Sequence, residues 1–179
     1  MPDYSTNLLT VTGDSDALEV FIDRAKGAKH EYRDNRTDDE SVIEPLSFHA
    51  LDPVPEALLK LNYNEGGYDW ELKHWGVKWG TDEVEVQIVN PNEIQYLFTT
   101  PNGVPVRFIR KVSTDFPDLR FQLIWIMPGV DSYGGGVWKS GKILEEWERE
   151  TTDDQTQRVE MAWEGEISMF DVMRNLDDE

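Results

Sequence analysis

The sequence predicts an α+β fold: a ferredoxin-like βαββαβ antiparallel sheet with helices on one face, extra edge strands and an acidic C-terminal extension. Three observations carry this reading. An apolar strand-like stretch at the N-terminus runs into an amphipathic helix. A run of strict alternation then turns back on itself as a hairpin. A second amphipathic helix leads into a nearly continuous apolar strand.

Ser5 to Thr12 is rich in Thr, Leu and Val, which suit a pleated, half-buried surface, and Gly13 ends it. Asp14, Ser15 and Asp16 offer N-caps to a helix whose Leu18, Phe21, Ile22 and Ala25 repeat at helical spacing, with Gly27 as its stop. Residues 31–45 read as a mobile acidic loop, and Leu46 to His49 as a short extended piece. Pro55 to Leu59 fits a helical turn, and Tyr68 to Trp75 a short helix closed by Gly76.

Val84, Val86 and Ile88 alternate with Glu83, Glu85 and Gln87, the pattern of a half-buried strand. Asn90-Pro91-Asn92 turns the chain, and Ile94, Tyr96 and Phe98 alternate on the way back. Pro105 opens a helix with Val106, Ile109, Val112 and Phe116 on one side and Arg107, Arg110 and Lys111 on the other. Leu119 to Met127 reads as a central strand. Gly134-Gly135-Gly136 reads as a flexible turn or bulge before a last strand at Val137 to Glu148. Val159, Met161 and Trp163 fit one more strand, and Ile167, Phe170, Met173 and Leu176 a closing helix. The expected organisation is one ferredoxin-like domain over 1–150, with an acidic insertion at about 31–56, and an extension over 151–179 that packs on it or trails from it.

Composition narrows the function. The 179 residues carry 17 Lys+Arg against 36 Asp+Glu, a net charge of −19. Affinity for a phosphate backbone comes from Lys and Arg displacing counterions, so direct nucleic-acid binding is not expected. Docking on an anionic membrane is not expected either, and no apolar stretch is long enough to span a bilayer. The absence of cysteine removes disulfide scaffolds, thiolate metal sites and cysteine nucleophiles. Of the 19 excess negative charges, 14 fall within residues 31–56 and 150–179. A cytoplasmic protein is expected.

Several blocks resemble a known family. Met1-Pro2-Asp3-Tyr4-Ser5 with Asn7, Leu9, Val11 and Gly13 resembles the opening of the YubB-like (Api-type) family of phage and plasmid proteins, departing from it at Asp3, Tyr4 and Ser5. Leu46-Ser47-Phe48, Leu51 and Pro53 to Glu56 resemble its second block. Tyr68-Asp69-Trp70 with Trp75-Gly76 and Lys78-Trp79 resembles its hallmark. Phe98, Thr100, Pro101 and Pro105, then Phe116 to Leu119 and Phe121, are similar to a further block. The resemblance implies a ferredoxin-like domain on a mobile element, with an uncharacterised function and no catalytic residues to carry over. The compartment it implies is the cytoplasm of an infected host.

Three constellations are candidates for function. Trp70, Trp75, Lys78 and Trp79 are the candidate ligand or partner groove, weighed against a plain role of the tryptophans in the core. Asp38, Asp39, Glu40, Glu145, Glu146, Glu148, Asp153 and Asp154 form the candidate acidic interaction surface, weighed against simple solubility or adaptation to salt. Arg107, Arg110 and Lys111 form a basic face that pairs with nearby acids, receives an acidic partner, or holds the chain's own acidic tail. His30, His49 and His74 are scattered and fall in no metal motif; structural roles fit them best. No nucleophile motif, dinucleotide fingerprint or P-loop is present, so no cofactor, no metal and no catalytic residue is assigned. The leading expectation is a non-enzymatic acidic protein that binds a host or phage protein in counter-defence or host takeover, including by mimicking DNA. The alternatives are a small-molecule or nucleotide binder using the WGVKWG region, and a structural protein that self-associates.

Overall fold

The computed structural model describes residues 3–37 and 41–178. The first strand, β1 (Tyr4–Thr12), is central. It pairs antiparallel with β5 (Glu93–Pro101) on one side and β6 (Arg120–Met127) on the other, with Leu9 opposite both Tyr96 and Leu123. The hairpin partner of β5, β4 (Asp82–Asn90), forms one edge. A second hairpin, β7 (Ser132–Lys139) and β8 (Lys142–Glu150), forms the other. The order across the six-stranded antiparallel sheet is β4-β5-β1-β6-β7-β8.

The helices α1 (Ser15–Ala25) and α5 (Val106–Asp115) carry the apolar stripes the sequence predicts. Leu18, Phe21, Ile109 and Val112 are buried against Leu9, Val11, Tyr96 and Phe121. Asp14 caps α1 by accepting from the Asp16 N–H. Between α1 and β4 lie a two-residue ladder, β2 (Gly27–Ala28) with β3 (Ile43–Glu44), and three short helices: α2 (Phe48–Leu51), α3 (Glu56–Leu59) and α4 (Gly67–His74).

Helices are not confined to one face. The C-terminal α6 (Asp153–Trp163) and α7 (Met169–Arg174) cover the opposite side, where Val159, Val172, Met173 and Leu176 pack on Leu8, Leu97 and Ile126. Successive residues of β1 point to opposite faces, so Leu8 and Leu9 serve two separate cores.

Other local expectations are corrected. Val159 to Trp163 is helical rather than a strand, because Thr152 and Gln155 form a reciprocal capping box that starts α6. Leu46 to His49 is not extended, since the Ser47 hydroxyl caps α2. The stretch 31–45 is not simply a mobile loop. Tyr32 is buried, the Arg33 side chain bonds Asn62 and Glu65, and the Tyr63 N–H bonds Asp34. β4 is nearly all exposed rather than half-buried: Val84 alone packs on the core, while Ile88 is 70% exposed beyond the reach of the helices.

The glycine run is the largest correction. Gly134 to Gly136 form the buried middle of β7, and the last strand is a hairpin turning at Ser140-Gly141, both at positive φ. Three indoles rest on this glycine floor. A Cβ at Gly134 would lie 2.7 Å from the Trp125 ring, at Gly135 2.9 Å from Trp147, and at Gly136 2.2 Å from Trp138. The glycines are there because flat rings occupy the space of their side chains.

Candidate functional site

Helix α4 turns one carboxylate inward. Gly67 and Glu71 are one turn apart and both buried, on a helix whose other residues face outward or lie part-buried. The absence of a side chain at Gly67 lets the Tyr32 ring lie against the helix, 2.4 Å from where a Cβ would stand. That places the Tyr32 hydroxyl on the next turn, 2.9 Å from Glu71 Oε1.

Glu71 is fully buried and accepts four hydrogen bonds. Tyr32 and His30 Nε2 (2.6 Å) reach Oε1; the Tyr63 hydroxyl (3.0 Å) and the Trp79 N–H (2.7 Å) reach Oε2. The carboxylate thereby gains the set of donors that a buried charge requires. Burial, and then the Glu71 charge, push both phenols well above the ordinary tyrosine range.

The same carboxylate organises the WGVKWG turn. Its bond to the Trp79 N–H holds that residue at φ 66°, between Gly76 and Gly80 at φ 83° and 75°. Trp75 is a core residue and not a groove wall: it is fully buried, edge-on to Phe48 and Trp70, with its indole N–H donating to the Asp52 carbonyl at 3.2 Å. Trp70 stacks on His74 at 4.1 Å. Trp79 is half exposed, with the Lys78 ammonium 4.0 Å above its ring. The four residues therefore do not enclose a common groove, because one of the three expected indole walls fills the core.

Behind this cluster lies a cavity of about 460 Å³, lined by Lys29, His30, Arg36, His49 and Leu59 among others. His49 Nδ1 accepts from the Val54 N–H at 3.1 Å. Burial, aided by the neighbouring His30, lowers its pKa from the ordinary histidine value. Lys29 is held by Glu44 and Asp82. Two imidazoles, two cationic side chains and the Glu31 carboxylate thus meet at one opening in an acidic protein. Sequence spacing gives no sign of it, because residues 29–36 and 49 are brought together by tertiary contacts, the ladder β2–β3, the cap of α2 and the His30–His49 ring contact.

The acidic candidates separate into two groups. Glu145, Glu146 and Glu148 are exposed along the edge strand β8, and Asp153 and Asp154 follow in the first turn of α6. Glu148 accepts from the Ser132 hydroxyl at 2.6 Å, and Asp154 lies 4.0 Å from Arg158. Glu145, Glu146, Glu148 and Asp153 have no ion pair among the described residues. Asp38, Asp39 and Glu40 lie outside the described residues.

The basic face is satisfied locally. Arg107 donates to the Lys73 carbonyl at 3.0 Å, Arg110 to the Gly141 carbonyl at 3.2 Å, and Lys111 pairs with Asp115. The acidic tail does not dock there. It packs on the far side of the sheet, drawn by the apolar stripe of α6 and α7.

These features define a mixed α+β protein with a mainly antiparallel six-stranded sheet and several helices, carrying a buried carboxylate cluster and an open acidic edge. Among solved structures, the fold is similar to that of protein api92 from Yersinia pseudotuberculosis, of the DUF1281 family. The TM-score is 0.57, at 10% sequence identity, over 85% of this chain and 99% of the other. At that identity the likeness concerns the fold alone. No protein-family model matches the chain, and no curated protein matches it. Among the described residues, no helix is long and apolar enough to cross a membrane.

Proposed function

We propose that this chain is a ferredoxin-like protein of a bacteriophage or related mobile element that acts without catalysis, binding a host or phage protein through its acidic edge in counter-defence or host takeover. The observation that carries the reading is a run of exposed carboxylates with no ion pair among the described residues: Glu146 and Glu148 toward one face of the edge strand β8, Glu145 toward the other, and Asp153 at the start of α6. Carboxylates fixed on a strand and a helix start keep their spacing, as a mimic of a phosphate backbone must, and steer a basic partner by long-range attraction. The split βαβ reading is supported by the order β4-β5-β1-β6, with α1 and α5 crossing one face. The mobile-element origin is supported by the sequence blocks that resemble the Api-type family.

The test compares the tagged protein with its Glu145→Lys, Glu146→Lys, Glu148→Lys variant on host lysate. The expected result is a partner that is retained by the parent, released by moderate salt, displaced by duplex DNA and lost from the variant. Equal retention by both proteins, or no retention by either, overturns the proposal.

A second reading is favoured by the cavity beside Glu71. Small-molecule or nucleotide binding fits Lys29, His30, Arg36 and His49 better than the tryptophans first considered, because Trp75 is buried. A nucleotide that raises the melting temperature of the parent but not of His30→Ala would establish it. Self-association through the open edges is the least supported of the three. β4 has two register irregularities and both edges carry carboxylates, which are devices against strand addition.

A further inference from the structure

The C-terminal end of α6 meets the start of β4 at a corner of the sheet, and two adjoining pockets open there. The outer, of about 470 Å³, is lined by Tyr4, Asp82, Glu83, Thr99 and Trp163. The inner, of about 150 Å³, shares Glu83, Thr99 and Trp163 with it and adds Thr6 and Glu85 beside apolar Leu97 and Met169. β4 departs from regular pairing between Asp82 and Glu85, and both glutamates face the inner pocket from this irregular stretch.

Two observations point to a binding role for this notch. Thr6 is 2% exposed and lines the inner pocket, yet its hydroxyl has no hydrogen-bond partner among the described residues. A buried polar atom without a partner is rare and calls for an explanation. Trp163, at the end of a helix packed on the sheet, remains 49% exposed over the opening.

The charge of the occupant follows from the lining. Asp82 is engaged by Lys29 at 3.1 Å, but Glu83 and Glu85 have no ion pair among the described residues. Two carboxylates, with an indole and a phenol in the lining, favour a cation over an anion. A threonine oxygen accepts a hydrogen bond from an ammonium group. Leu97 and Met169 offer an apolar wall to an alkyl stem.

We propose that this notch binds a primary alkylammonium group, as carried by a polyamine or by a lysine side chain. Glu83 and Glu85 supply the charge, Trp163 the π face, and Thr6 the acceptor at the inner end. The site is separate from the β8 carboxylates and stands whether or not they bind a partner.

Calorimetric titration of the full chain tests it, with spermidine in one arm and a blocked lysine peptide in the other. Saturable binding at one site per chain is expected. Trp163→Leu and the Glu83→Gln, Glu85→Gln double variant are expected to weaken it about fivefold or more. Thr6→Val is expected to weaken it about threefold with an unchanged or raised melting temperature, and Glu145→Gln on β8 to leave it unchanged. Binding of both probes identifies the shared ammonium chemistry; spermidine alone points to a polyamine, and the peptide alone to a protein side chain. Failure of both probes to saturate overturns the proposal. So does equal weakening by Glu145→Gln, which would mean diffuse attraction to an acidic surface. Should Trp163→Leu fail to fold, Trp163→Phe replaces it: the ring is retained, so affinity within about twofold of the parent is expected. A larger loss there overturns the role of the π face.

Discussion

Glu71 is read very differently before and after folding. In the sequence it is one acid among 36, on a short helix, and nothing local separates it from a solvated side chain. Its four donors come from residues 30, 32, 63 and 79, which only the tertiary fold gathers. The one local sign is Gly67, a turn earlier on the same face, where a better helix former would be expected. Removing the carboxylate leaves a buried imidazole, two phenols and a backbone N–H unpaired. Glu71→Ala is therefore expected to cost about 3 kcal/mol, measurable as a shift of the urea midpoint, and to loosen the turn that holds Trp79.

The tyrosines that serve this carboxylate, together with Tyr96 in the main core, set an alkaline limit. Tyr32, Tyr63 and Tyr96 all have phenol pKa values raised above the ordinary 10.0 by burial. Above that pH the unfolded chain releases protons that the folded chain retains, so stability falls as pH rises. The melting temperature is expected to drop from about pH 10 upward. Tyr63→Phe should show a shallower drop, because one titrating group is removed. An equal slope in parent and variant would show that the cluster does not control the alkaline limb.

Among the elements, those read correctly are the ones with a long, clean period. The stripes of α1 and α5 are visible in the order of residues because each helix buries one side only; the hairpin β4–β5 is visible in its alternation and its Asn90-Pro91-Asn92 turn, although β4 is nearly all exposed and β5 is buried on both faces. The misread elements break a local rule for a tertiary reason. Gly134 to Gly136 have the composition of a loop and the position of an internal strand, paired on both sides, since Trp125, Trp147 and Trp138 supply the bulk the glycines lack. Gly134→Ala tests this account. Its Cβ would fall 2.5 Å from the Trp147 carbonyl oxygen, a backbone atom that cannot swing away. A loss of about 2 kcal/mol or more is expected by overpacking, with faster amide exchange in β8 than elsewhere in the sheet. In α6 the period two of Val159, Met161 and Trp163 suggests a strand, but the signature Thr152-x-x-Gln155 just upstream starts a helix.

The charge balance governs the whole molecule, and it was fully legible without a structure. The structure adds where the charge goes. The acidic tail is not free: α6 and α7 seal the second core, with Gln155 Nε2 donating to the Leu176 carbonyl at 2.6 Å. A net charge of −19 is thus condensed on a small folded surface. Self-repulsion weakens the compact state, and salt screens it over a distance of about 10 Å at 0.1 M. The melting temperature is expected to rise by several degrees between about 10 mM and 300 mM sodium chloride. A flat or falling response would mean that attractive pairs outweigh the repulsion.

The seven tryptophans have an optical consequence. They fall into three groups: Trp125 and Trp138 on one face of β7; Trp147 and Trp163 on the opposite side of the sheet, which α6 covers; and Trp70, Trp75 and Trp79 around the end of α4. Each group reports a different neighbourhood in its emission. Light collected from the whole chain is therefore a weighted sum of three local signals, and its midpoint need not match that of the backbone circular dichroism. Phenylalanine replacements, made one group at a time, would turn that mixture into three regional probes already built into the fold.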